Sequence, residues 1–170
     1  MFIKTERLTL KPYSDNDRND MIYLLTNSTI KKTFMVPNLE TEYERVQIFN
    51  KIKNFSLSDE HYERGIFLND VLIGFINDVE VSNDKIELGY VINPKYHNCG
   101  YATEALKGVI SDLFKKGFSE IIAGAFENNT PSIKVMIKCG MKQVNKQDDI
   151  EYQGEIHHCV YYSINRTDLF

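Results

Sequence analysis

With 170 residues, 42% of them hydrophobic and 26% charged, the chain has the make-up of one globular domain that can bury a core without disulfide or metal staples. A net charge of −4 speaks against a general nucleic-acid or anionic-membrane surface and mildly favours cationic partners. No apolar run is long enough to cross a bilayer, Met1–Lys4 leads into a strand rather than a signal peptide, and Cys99, Cys139 and Cys159 lack metal spacing, so a cytoplasmic protein with free thiols is expected.

In chain order, Leu8, Leu10 and Pro12 mark a first strand over residues 2–12, and Asp15 or Asp17 caps a helix carrying Met21, Ile22, Leu24 and Leu25. Residues 27–38 read as irregular. The capping box Thr41-x-x-Glu44 opens a second helix to Leu57 that buries Val46, Ile48, Phe49, Ile52 and Phe55 in part. A hairpin follows, His61–Leu68 with Val71–Val81 across Asn69-Asp70, and Asn83-Asp84 turns into a third strand, Ile86–Asn93, ended by Pro94. Ala102, Ala105, Leu106, Val109, Ile110, Leu113 and Phe114 share a helical stripe, which predicts a helix from Gly100 to Lys116 closed by Gly117. A buried strand at Ile121–Phe126, a short helix at Pro131–Lys138 before Gly140, and a hairpin of 141–147 with 156–164 complete the chain. The sum is an α+β fold, a mostly antiparallel sheet of about seven strands flanked by about four helices.

Between the third strand and the central helix lies His97-Asn98-Cys99-Gly100-Tyr101, a glycine-bearing loop at a helix N-terminus whose amides can face an anion. His97-x-x-Gly100-x-Ala102 with Thr103-Glu104-Ala105 resembles the acetyl-CoA pyrophosphate loop of the GNAT N-acetyltransferases, in particular the RimJ/RimL-type branch of ribosomal-protein N-terminal acetyltransferases. Thr5-Glu-Arg-Leu-Thr-Leu10, Glu87-Leu-Gly-Tyr90, Asn129-Thr-Pro-Ser132 and Lys138-Cys-Gly-Met141 extend the likeness over nearly the whole chain. His97 stands where the family usually carries Gln or Arg.

The resemblance implies the GNAT fold over residues 1–170, acetyl-CoA as acetyl donor, no metal, and an amine acceptor, either a protein N-terminus or a small amine. It places the cofactor against the backbone of Tyr90, Val91 and Ile92, the loop His97, Asn98, Cys99, Gly100, Tyr101, Ala102 and Thr103, and Asn129. Glu87 is the candidate general base, set among apolar strand neighbours, or else a solvated strand carboxylate. Ser132 is the candidate proton donor to the leaving thiolate; Asn129 and Ser132 equally suit a helix start. Many GNAT enzymes carry an acidic tyrosine where this chain has Met136.

Asp148, Asp149, Glu151 and Glu155 either steer an amine or form a solvated loop, and Tyr43, Tyr62 and Tyr152 either line an acceptor mouth or pack. His157-His158-Cys159 cannot converge on one ion, since adjacent strand residues face opposite ways. Members of the fold often dimerise, but the sequence marks no interface. The alternative to an enzyme is an acetyl-CoA-binding sensor or interaction module without catalysis.

Overall fold

The computed structural model describes residues 2–169; Met1, read as leading into the first strand, and Phe170 lie outside the described residues. Among the described residues, eight strands are hydrogen-bonded in the order β1-β2-β3-β4-β5-β6-β8-β7, with five α-helices, so the expected seven strands and four helices are each one short. The chain divides into two compact units, Met1–Asn77 with Tyr90–Ala105, and Asp78–Gly89 with Leu106–Phe170.

In the first unit, the expected strand over 2–12 is a small hairpin, β1 (Ile3–Lys4) on β2 (Leu8–Lys11), with Ile3 opposite Leu10. Thr5 closes it: its amide donates to the Leu8 carbonyl at 3.0 Å, and its Oγ1 accepts from the Leu8 amide at 3.1 Å. Glu6 and Arg7 are thereby set in the turn. The helix α1 (Arg18–Thr26) has Asp17, one of the two expected residues, at its N-cap position, and the Asp17 carboxylate points back to the Ser14 amide as the reciprocal partner in the box that Ser14 caps over the preceding 3-10 turn. Asn27 caps a one-turn helix, α2 (Ser28–Lys31), inside the stretch read as irregular, because its side-chain oxygen takes the amides of Thr29 and Ile30.

The helix α3 (Glu42–Leu57) begins with the predicted capping box and buries Phe49 fully. Strand β3 (Glu63–Leu68) starts two residues later than expected, since the His61 ring packs on Phe55, centroids 3.9 Å apart. β4 (Val71–Ser82) follows the Asn69-Asp70 turn, where both residues are left-handed. Tyr13, Met21, Leu24, Phe49, Phe67, Phe75 and Val91 make this unit's core.

In the second unit, β5 (Lys85–Ile92, ending in the first unit) pairs parallel with β6 (Glu120–Phe126) from Lys85–Glu120 to Leu88–Ala123. The helix α4 (Tyr101–Lys115) begins in the first unit and buries Leu106, Val109, Ile110 and Leu113 in the second. The helix α5 (Thr130–Lys138) ends at the left-handed Gly140. The last hairpin is longer than predicted: β7 (Lys142–Tyr152) turns at Gln153-Gly154 into β8 (Glu155–Asn165). Asp148, Asp149 and Glu151 thus sit on a strand, not in a loop. β7 ends the strand order and most of its residues are exposed, with only Val144, Ile150 and Tyr152 partly buried, so a regular apolar alternation is absent from its sequence.

Candidate active site

The loop between β5 and α4 has the strained backbone an anion cradle needs: Asn98 and Gly100 are left-handed, with φ of 60° and 81°. The first-turn amides of α4 follow it, and an α-helix does not use these within itself. Asn93, expected as the last strand residue, instead caps the 3-10 turn Pro94–Tyr96, so β5 stops at Ile92, just ahead of Pro94. The ring Nε2 of His97 lies 2.7 Å from the Ile92 carbonyl, which can only accept, so Nε2 carries the proton. His97 thereby ties the loop back to the end of β5.

Sequence reasoning missed the cation at this loop. Arg7 donates through Nη1 to the Cys99 carbonyl at 3.0 Å, and its guanidinium lies 4.5 Å from the centroid of the Tyr101 ring. Glu104 holds it there: Oε2 accepts from Arg7 Nε at 2.7 Å, and Oε1 accepts from the Arg7 amide at 2.7 Å and from Thr5 Oγ1 at 2.6 Å. The two quoted motifs, Thr5-Glu-Arg7 and Gly100-Tyr-Ala-Thr-Glu104, therefore bind each other. A charged residue of opposite sign in each motif was the available signal.

Burial alone would raise the Glu104 carboxyl, but the hydrogen bonds from Thr5 and Arg7 hold it below its ordinary 4.5. A depressed carboxyl adds stability above its unfolded value and loses it as the pH falls through the folded one. Glu104→Ala is accordingly expected to melt roughly 5 °C below wild type at neutral pH. The difference should shrink below about pH 4.5, and melting curves across that range check it.

In the second unit, Glu87 lies opposite the apolar Ile122 of β6, and a cation that the sequence did not mark stands beside it. The Glu87 side chain is 12% exposed and its Oε2 accepts from Lys146 Nζ at 3.0 Å. Lys146 in turn stands 4.1 Å from the centroid of the Tyr161 ring, whose hydroxyl is hydrogen-bonded to Asp148. Burial, first, and that bond push the Tyr161 phenol far up. Around them Phe126, Cys159 and Tyr161 form a small core, with Ile122, Val144, Ile150 and Tyr152 partly buried against it.

Asn129 acts as the helix cap its sequence equally suited: Oδ1 accepts from the Ser132 amide at 3.4 Å, which sets Ser132 in the first turn of α5. Met136 is fully buried core. Tyr62 is buried with the Arg64 guanidinium 5.3 Å from its ring, and Tyr43 is exposed. His157 stacks on Phe126 while His158 pairs with Asp149, and among the described residues no group of three or more His, Cys, Asp or Glu is placed to hold a metal ion. No helix among them is long and apolar enough to cross a membrane.

Residues 7–142 match the family described as Acetyltransferase (GNAT) domain, four-fifths of the chain. The chain belongs to the GNAT acetyltransferase family. The N-acetyltransferase YnaD of Bacillus subtilis (strain 168) is 30% identical over 145 residues, 84% of each chain. Among solved structures, an acetyltransferase of the GNAT family from Bacillus anthracis matches with a TM-score of 0.83 at 30% identity, over 97% of this chain and 98% of that one. An acetyl transferase from Salmonella typhimurium, which modifies the N-terminal serine of 50S ribosomal subunit protein L7/L12, shares the fold at a TM-score of 0.81 and 14% identity, over 97% and 99%. What this GNAT acetyltransferase shares with that ribosomal-protein acetyltransferase is the fold.

Proposed function

We propose that this acetyltransferase moves an acetyl group from acetyl-CoA to a primary amine, the amine attacking the thioester directly, and that the chain works as one catalytic domain. The observation that carries the reading is the left-handed loop at Asn98 and Gly100 before α4, with Arg7 fastened to it. The loop's donors and its cation are the chemistry a pyrophosphate requires, and Cys99, Tyr101, Ala102 and Thr103 belong to the same cradle. Acetyl-CoA supplies the activated acyl group. The family match across residues 7–142 supports the single-domain reading.

Glu87 takes the acceptor's proton, directly or through water, while the backbone of Tyr90, Val91 and Ile92 receives the cofactor's extended arm. Asn129, whose Oδ1 caps α5, keeps an amide donor for that arm, and Ser132 offers the leaving thiolate a proton. Asp148, Asp149 and Glu151 favour a cationic amine, and a protein N-terminus or a small amine both satisfy them. Met136, buried where many GNAT enzymes carry an acidic tyrosine, and His97 in the loop favour a sensor without catalysis.

Calorimetric titration with acetyl-CoA, beside thiol release over a panel of amines, tests the reading. Gly100→Glu puts a side chain at φ +81°, where its Cβ would stand 3.5 Å from the Arg7 guanidinium, and a carboxylate in the anion cradle. We expect it to remove measurable acetyl-CoA binding. Binding that survives the substitution assigns the pyrophosphate elsewhere, and tight binding without thiol release on any amine favours the sensor.

A further inference from the structure

Strand register puts Glu87, Gly124 and Tyr161 on one face of the second unit, since Glu87 is opposite Ile122 and Gly124 opposite Tyr161. A Cβ on Gly124 would come within 2.7 Å of the Tyr161 ring, so the missing side chain lets the ring pack closely against the strand there. The Lys146 ammonium stands over the ring, 4.1 Å from its centroid.

An irregularity in β7 delivers that lysine. Gln143 is opposite Tyr162 and Gln147 opposite Val160, so four steps along β7 answer two along β8, and the surplus arches Lys146 out of the ladder. Burial disfavours its charge, but Glu87, Asp148 and Glu80 outweigh burial and keep it a cation. A carboxylate in front and an aromatic face beside it are what a primary alkylammonium binds. The chain supplies one from itself.

We propose that Lys146 controls acceptor entry, its ammonium filling the place between the Glu87 carboxylate and the Tyr161 ring that the acceptor's alkylammonium takes when it displaces it. This rests on the reading of Glu87 as the group that meets the acceptor. It names the acceptor class as a primary amine on a flexible aliphatic stem, the shape of a lysine side chain or a polyamine end. Lys146 does not touch the reacting atoms; it acts through Glu87.

The test uses the full chain with Lys146→Met, which keeps the stem and removes the cation, and Lys146→Gln beside it, each first shown to melt as wild type does. Titrated with n-butylammonium chloride, Lys146→Met should bind roughly tenfold more tightly than wild type, and Lys146→Arg should match wild type. With an alkylamine acceptor the KM should fall by a similar factor while kcat holds. Equal butylammonium affinity in all variants, or a raised KM, overturns the proposal. If Lys146→Met and Lys146→Gln gain butylammonium affinity yet no amine drives thiol release even in wild type, Lys146 still occupies an ammonium subsite and the acetyl-transfer reading fails instead. Wild-type turnover without that gain is the reverse result.

Discussion

Glu87→Gln is expected to lower turnover by roughly a hundredfold or more, the usual worth of a positioned general base, with acetyl-CoA affinity unchanged. Glu87 sits one step before the last registered β5–β6 pair, Leu88–Ala123, and its side chain is largely covered. Glutamine fills the same volume and still accepts the hydrogen bond from Lys146, so the face around Tyr161 keeps its packing. What it loses is the capacity to take a proton. Steady-state kinetics beside a melting curve and a calorimetric titration separate the two roles: a stable, cofactor-binding variant with full turnover would show that solvent, not Glu87, takes the proton.

Gly74→Ala should be the most damaging single methyl in the first unit. A Cβ at Gly74 would stand 2.1 Å from the Val91 carbonyl oxygen and 3.2 Å from the Ile92 Cα, and backbone cannot rotate aside as a side chain can. The neighbouring Asn93 amide donates to the Ile73 carbonyl at 2.7 Å, which holds β5 close to β4. Overpacking commonly costs about 1–3 kcal/mol, and a clash with main chain belongs at or above the top of that range. The expected fall in Tm is roughly 10 °C. Because the displaced segment is Val91–Ile92, where the cofactor's arm is proposed to lie, acetyl-CoA affinity should fall with it. A variant that melts and binds as wild type would mean that the two strands separate without cost at this point.

Local chemistry carries most of what was legible beforehand. Asn69-Asp70 and Asn83 accept left-handed backbone, Thr41 and Glu44 cap α3, Pro94 ends β5, and the apolar stripe from Ala102 to Phe114 makes α4; each acts within a few residues, so the sequence shows it directly. The misreadings fall where a partner distant in sequence decides. Thr5 folds the first strand into a hairpin in company with Glu104, and β7 stays a strand through Tyr152 because β8 pairs with it, not because its residues alternate.

The sequence by itself determined the strand–loop–helix of residues 86–115 and the glycine that an anion loop needs, since backbone conformation and amide supply are local properties. Only the tertiary structure decided which charges stand beside them. Arg7 reaches the Cys99 carbonyl across 92 positions, and Lys146 reaches Glu87 across 59, because folding can bring a fixed charge from anywhere in the chain to a carboxylate or carbonyl that lacks a local partner.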